Sequence, residues 1–107
     1  MSGIDDRRKG MDTKLGRDSE LKFKVTNRRN KLLGYWAADK LGVTGEKREA
    51  LAKSVVLADF EEPGDEDVLR KVLGCFDEHG QFIDHDEVRA EMENLLPVAL
   101  EQVNSEG

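Results

Sequence analysis

A chain of 107 residues is long enough for one domain with one hydrophobic core and too short for two. Hydrophobic and charged residues each make up 37% of it, and no apolar stretch approaches the roughly 18 residues of a membrane span. The N-terminus, MSGIDDRRKGMD, lacks the apolar centre of a signal peptide, so a cytoplasmic protein without membrane insertion is expected. The single cysteine, Cys75, excludes an internal disulfide and is expected to be a small buried side chain.

The net charge of −6 is unevenly distributed along the chain. Residues 1–31 hold ten Lys or Arg and five Asp or Glu, a net charge of +5. Residues 32–107 hold seven Lys or Arg and eighteen Asp or Glu, a net charge of −11. The basic end and the acidic body must therefore meet different surroundings, or each other.

Residues 1–17, the N-terminal segment, offer only Met1, Ile4, Met11 and Leu15 as apolar side chains. Burying all four would contribute at most about 6 to 12 kcal/mol, whereas fixing each backbone residue costs about 1 to 2 kcal/mol. We therefore expect the segment to be mobile on its own. Ile4, Met11 and Leu15 nevertheless fall on one side of a notional helix, which predicts a segment that folds against a partner. The basic residues around the rest of that helix are Arg7, Arg8, Lys9, Lys14 and Arg17.

The longest predicted helix runs from about residue 18 to 42, with its start left open and Gly42 at its end. One face carries Leu21, Val25, Arg28 or Arg29, Leu32 and Trp36, with Phe23, Leu33, Ala37 and Leu41 beside it. Trp36 is expected in the core and its neighbour Tyr35 at a rim, because adjacent helical residues point about 100° apart. A second helix is predicted over 45–61, and its stripe is Leu51, Ala52, Val55, Val56 and Phe60.

The third and fourth helices are predicted over 65–79 and 85–103. Three acids follow Gly64 at the start of the third helix, and Gly80 supplies its left-handed exit. The apolar spacing of the fourth helix is equally clear, but Pro97 predicts a kink or an early end. The stripes are Val68, Leu69, Val72, Leu73 and Phe76 in the third helix, and Val88, Met92, Leu95, Leu96 and Ala99 in the fourth.

Four amphipathic helices joined by short connections have few ways to bury their stripes. A four-helix bundle or a bent variant of it is the usual solution. No segment alternates with a period of two, so strands are not expected. The sequence therefore predicts an all-α four-helix bundle over residues 18–104, preceded by the N-terminal segment.

The corner CFDEHGQFIDHDE, residues 75–87, raises the question of a metal site. Cys75, His79 and His85 fit no dedicated zinc spacing. As a calcium loop, the corner would put Cys75 in place of the first acidic ligand and Asp86 in place of the bidentate glutamate. Surface residues at a helix corner explain the pattern better, so neither a metal nor another cofactor is expected.

No catalytic arrangement is found either. The glycines form no phosphate loop, and Ser19, Ser54 and Cys75 lack the base and orienting group that a nucleophile needs. The basic residues Lys22, Lys24, Arg28, Arg29 and Lys31 are favoured as a salt-bridged or partner-facing helix surface over a nucleic-acid site. We expect a non-enzymatic binding protein that is a monomer when free.

Three segments carry a family resemblance: ELKFK (20–24), RRNKLLGYWAADKLG (28–42) and ADFEEPGDEDVLRK (58–71). They closely resemble the zeta subunit family, the ATPase inhibitor subunit of alphaproteobacterial F-type ATP synthases. The resemblance covers the chain from Asp5 to about residue 100. It implies a helical bundle with a mobile N-terminal segment that enters the interface between the catalytic subunits and the central stalk, folds into a helix there and blocks rotation in the hydrolytic direction.

The resemblance also implies which residues bind the partner. Asp5, Asp6 and Arg7 occupy the inhibitory head. Lys14, Leu15, Asp18, Leu21, Phe23 and Lys24 continue along the same element. Together with the amphipathic pattern, the predicted partner-binding residues are Ile4, Asp5, Asp6, Arg7, Arg8, Met11, Lys14, Leu15, Asp18, Leu21, Phe23 and Lys24.

The chain departs from the family pattern in its N-terminal segment. Ile4 and Leu15 stand where aromatic side chains are expected, and Gly10 and Gly16 each cost a helix about 1 kcal/mol relative to alanine. We therefore expect inhibition to be weaker than that of the family's best members, by about tenfold or more. Two alternatives stay open: a bundle that senses adenine nucleotides, which would bind weakly, and a family member that has kept the fold with weak or lost inhibition.

Overall fold

Four α-helices make up the part of the chain that the computed structural model describes, which is the backbone of residues 2–61 and 64–106 and the side chains of residues 20–61 and 64–106. They are α1 (Ser2–Leu41), α2 (Glu46–Glu61), α3 (Asp65–Glu78) and α4 (His85–Glu106). Within these residues there is no strand. The predicted all-α, four-helix fold is therefore confirmed.

The bounds of α2 and α3 lie within one residue of the predicted ones, whereas those of α1 and α4 differ more. α1 begins at Ser2, well before the expected start near residue 18. α4 passes through Pro97 and continues to Glu106, so the early end does not occur. Beyond the proline, Ala99 is fully buried and Arg28 of α1 bonds Gln102 at 3.0 Å. A helical proline costs roughly 3 kcal/mol, and these contacts act against that cost.

Two glycines end helices as the sequence predicts. Gly42 follows α1 with φ of 75°, and Gly80 follows α3 with φ of 69°. At the first, the amide of Val43 donates to the carbonyl of Ala38 at 2.8 Å; at the second, the amide of Gln81 donates to the carbonyl of Phe76 at 2.9 Å. Both are Schellman ends, in which the left-handed residue is nearly free of strain only when it is glycine.

Helix α1 is the element against which α2 and α4 both pack most extensively. Lys40 pairs with Glu87 at 3.0 Å near one end of α1, and Arg28 pairs with Glu106 at 2.5 Å further back, so α4 runs antiparallel to α1. α2 also runs antiparallel, because Tyr35 bonds Glu49 and Phe23 contacts Phe60. α3 packs against the other three helices and closes the bundle.

Most of the core comes from the predicted stripes, although Leu96 of the fourth stripe is 39% exposed and the core members Ala38 and Ile83 belong to no predicted stripe. Fully burying a side chain such as Leu33 contributes about 1.5 to 3 kcal/mol. Cys75 is buried, as expected, and Trp36 packs against the core. The core members are Leu33, Ala37, Ala38, Leu41, Leu51, Val55, Val68, Leu69, Val72, Cys75, Phe76, Ile83, Val88 and Met92.

The molecule measures 64 by 25 by 22 Å, and its long axis matches the length of about 60 Å for a 40-residue helix. Only the C-terminal part of α1 therefore belongs to the bundle, and the N-terminal part of the helix extends away from it. None of the helices in the described part of the chain combines the length and the hydropathy needed to cross a bilayer.

Candidate partner-binding surface

The part of α1 that leads out of the bundle has described side chains from Glu20 onward, and residues 20–24 are all exposed. Leu21 is 37% exposed and Phe23 is 53% exposed. Lys24 pairs with Glu20 at 3.6 Å along the helix, a solvent-exposed contact that stabilises by at most about 0.5 kcal/mol. Along α1 from Glu20 toward its C-terminal end, the first fully buried side chain is that of Arg29. This stretch of α1 therefore gains little from the bundle.

Among the predicted partner-binding residues, the structure describes the side chains of Leu21, Phe23 and Lys24, which lie on this exposed stretch. The others lie on the backbone of α1 but outside the residues with described side chains: Ile4, Asp5, Asp6, Arg7, Arg8, Met11, Lys14, Leu15 and Asp18. Their role in binding stays a prediction.

Phe60 differs from its prediction, because it is 52% exposed and lies outside the core. Its ring contacts the ring of Phe23 edge-on, with 5.4 Å between centroids and 66° between planes. α2 is long enough to carry Phe60 past the end of the core, to the point where α1 leaves the bundle. Helical spacing alone did not reveal this, because it shows which residues share a face and not how far the facing helix extends.

Two neighbouring arginines, Arg28 and Arg29, hold α1 at the point where it leaves the bundle, which we call the junction. The guanidinium of Arg28 donates to Gln102 Oε1 at 3.0 Å and to Glu106 Oε1 at 2.6 Å. These hydrogen bonds connect α1 to the C-terminal end of α4. The guanidinium of Arg29 is buried and donates through Nη2 to Asp65 Oδ1 at 2.9 Å, which ties down the start of α3. Two of the five basic residues of the stretch 22–31 thus bind acids of the bundle: Arg28 is partly exposed, in line with the predicted salt-bridged surface, whereas Arg29 is buried.

The hydrogen bond from Arg28 holds the pKa of the Glu106 carboxyl below its ordinary value of 4.5. Because the folded pKa lies below the unfolded one, this bond stabilises the fold above about pH 4.5 and is lost as pH falls through the lowered pKa. We predict that Arg28→Gln raises the pKa of Glu106 toward its ordinary value, measured by NMR titration of the side-chain carboxyl carbon.

Arg89 provides the matched control for that titration. It donates a hydrogen bond to Glu66 in the same way and lowers the pKa of that carboxyl. Arg89→Gln is therefore expected to raise the pKa of Glu66 and to leave that of Glu106 unchanged. Equal effects of the two variants on Glu106 would contradict the assignment of its shift to Arg28.

A shallow groove of about 510 Å³ lies beside the junction. Three of its seven lining side chains are cationic, although one of them, Arg28, is already bound to Glu106. Lys31 also faces the ring of Tyr35, with Nζ 5.8 Å from the centroid. The lining side chains are Lys24, Asn27, Arg28 and Lys31 of α1, Val56 of α2, and Val103 and Glu106 of α4.

The corner between α3 and α4 lies at the far end of the bundle, and its Cys and His residues make contacts within the chain. Burial raises the pKa of the Cys75 thiol, and His79 Nδ1 lies 2.8 Å from the carbonyl oxygen of Cys75. The side chains of residues 20–61 and 64–106 include no group of three or more His, Cys, Asp or Glu placed to hold a metal ion.

Comparisons with known proteins give a family and a similar structure. The family model described as ATPase inhibitor subunit zeta matches residues 1–102. A protein of 48% sequence identity, solved by solution NMR, matches with a TM-score of 0.71; the match covers 81% of this chain and 99% of that chain. The comparison with curated proteins gives no match. The family match thus includes the N-terminal segment as well as the bundle.

Proposed function

Since the chain belongs to the ATPase inhibitor subunit zeta family, we propose that it binds the catalytic part of an F-type ATP synthase and blocks ATP hydrolysis. The N-terminal segment inserts as a helix between the catalytic subunits and the central stalk and opposes rotation. The chain acts as a non-catalytic regulatory subunit on the cytoplasmic side of the membrane. The bundle carries the segment and fixes the direction in which it leaves.

The observation that carries this proposal is the exposure of α1 where it leaves the bundle. Residues 20–24 contribute no buried side chain, so packing in the bundle does not stabilise the part of α1 that precedes them. Most of the stability of a helix in a protein comes from the packing of its apolar face, and Gly10 and Gly16 lower the intrinsic helix propensity of this part of α1 further. A groove in the enzyme that buries Ile4, Met11 and Leu15 would supply the missing stabilisation.

The charge of the N-terminal segment indicates what such a groove contains. Residues 1–17 hold five Lys or Arg and three Asp or Glu, a net charge of +2. A partner groove that presents carboxylates beside an apolar floor would pair with these cations and bury the apolar side of the helix. Charge pairing of this kind mainly speeds association and fixes the register of the helix.

The direct test is a titration of ATP hydrolysis by a cognate F-type ATP synthase with the full chain. We expect hydrolysis to fall to a low plateau at one chain per enzyme, because each enzyme has one rotor and one bound chain is enough to stop its rotation. Undiminished hydrolysis at a large excess of the folded chain would overturn the proposal.

A second candidate function follows from the basic groove. Lys24 and Lys31 line it, and their ammonium groups supply the positive charge that the phosphates of an adenine nucleotide require. Titration with ATP and ADP, followed by Trp36 fluorescence and by the amide shifts of Lys24, Lys31 and Val103, tests this candidate. Saturable shifts at the groove without any inhibition of hydrolysis would favour the nucleotide-sensing function over the inhibitory one.

A further inference from the structure

Two half-exposed aromatic rings meet on the surface of the bundle, on different helices. Phe23 of α1 and Phe60 of α2 are 53% and 52% exposed and contact each other edge-on at 5.4 Å. Leu57, which lies one helical turn before Phe60, is 46% exposed. We call Phe23, Leu57 and Phe60 the aromatic platform. It brings together apolar side chains that are 34 and 37 positions apart in sequence.

A preformed apolar cluster differs from a single exposed side chain. Isolated exposed apolar residues are common and need no explanation. Here the two rings already pack against each other, so covering them requires little further ordering of their side chains. Aromatic residues of this kind dominate the energetics of protein interfaces. The platform is therefore suited to bind a protein surface.

The position of the platform indicates its partner. Phe23 is one of the predicted partner-binding residues of α1, and Phe60 lies directly against it. A surface that covers Phe23 from the side of α2 must also cover Phe60. Lys24 beside Phe23 and Lys53 one turn before Leu57 are both exposed, so carboxylates on the covering surface would complement this edge of the platform.

We propose that Leu57 and Phe60 of α2 form a second part of the ATPase-binding surface, and that they dock into an apolar pocket with an acidic edge on the catalytic part of the enzyme. This inference rests on the proposed inhibitory function and extends the interface from one helix to two. The bundle then contributes to affinity directly, and the N-terminal segment is held at its base as well as along its length. Contacts at both places raise the effective concentration of the segment at its groove.

Phe60→Ala tests the proposal in the full chain. We expect the concentration for half-inhibition of ATP hydrolysis to rise by about tenfold, which is the loss typical of an aromatic contact at an interface. Phe82→Ala is the matched control, since Phe82 is 92% exposed at the far end of the bundle. This control is expected to inhibit like the unchanged chain.

Further measurements separate the outcomes. Both variants should keep the helical circular dichroism and melting temperature of the unchanged chain, and Leu57→Ala provides a second test with an expected loss of about threefold. Equal inhibition by Phe60→Ala, Leu57→Ala and the unchanged chain would overturn the inference and leave the proposed function intact. Failure of the unchanged chain to inhibit would overturn both. A dimer of the unchanged chain that Phe60→Ala dissociates would assign the platform to a second copy instead.

Discussion

Deletion of residues 1–17 is expected to abolish the inhibition of ATP hydrolysis and to leave the bundle folded. The deletion removes Ile4, Met11 and Leu15, and burying each of these contributes about 1.5 to 3 kcal/mol before the cost of ordering. We predict that half-inhibition then requires at least about 100 times more protein. The bundle should be unaffected, because the partly and fully buried side chains of α1 among residues 20–41 begin at Val25, well after the deleted residues.

The control for this deletion is the stability of the truncated chain. Its melting temperature and the fluorescence of Trp36 should equal those of the full chain. A truncated, folded chain that inhibits as well as the full one would show that the N-terminal segment is not the effector. Inhibition would then have to come from the bundle, and the aromatic platform and the basic groove would be the surfaces to examine next.

Replacing Gly34 with alanine is expected to destabilise the bundle strongly. Gly34 is buried in α1, where a Cβ atom would lie 2.4 Å from the Cα of Ala52 and 3.1 Å from its Cβ. The clash is with backbone, so α1 and α2 must move apart. Overpacking of this kind costs about 1 to 3 kcal/mol. For a bundle of this size, each kcal/mol lowers the melting temperature by about 4 to 8 °C.

Gly74 gives the opposite expectation with the same substitution. It lies in α3 and is exposed, and a Cβ atom there would meet nothing within 4 Å. Gly74→Ala should therefore stabilise by about 0.5 to 1 kcal/mol through helix propensity alone. Chemical denaturation of both variants measures the two changes. A Gly34→Ala variant as stable as Gly74→Ala would show that the helices do not approach each other this closely.

The fold followed from the sequence because its signals are local. Repeats of three and four residues mark the stripes that contain Val55, Val72 and Val88, and all three are fully buried. Glycine after a stripe marked the ends of α1 and α3. The motifs that resembled the zeta subunit family gave the same family as the match over residues 1–102.

Other features depend on which helices meet, and a periodic pattern does not contain that information. Phe60 shares the stripe of α2 but lies beyond the core, because the facing helix there is the exposed part of α1. The spacing left open whether Arg28 or Arg29 continues the apolar face of α1, and the structure shows that Arg29 is the buried one, bound to Asp65, 36 positions away in sequence. The persistence of α4 beyond Pro97 likewise depends on contacts with α1.

The candidate site was predicted in part by pattern and in part by resemblance. The amphipathic pattern of Ile4, Met11 and Leu15 indicated a segment that folds on a partner. The family motif added residues such as Phe23 and Lys24, which the structure places on the exposed stretch of α1. The contribution of α2 to this surface could be recognised only once Phe23 and Phe60 were seen to touch.

We propose that the N-terminal segment takes its order from the enzyme and not from the bundle. Amide hydrogen exchange of residues 2–17, measured in the free chain and in the complex with the catalytic part of the ATP synthase, tests this claim most directly. We predict rapid exchange in the free chain and strong protection in the complex. Slow exchange in the free chain that does not change when the enzyme is added would contradict it.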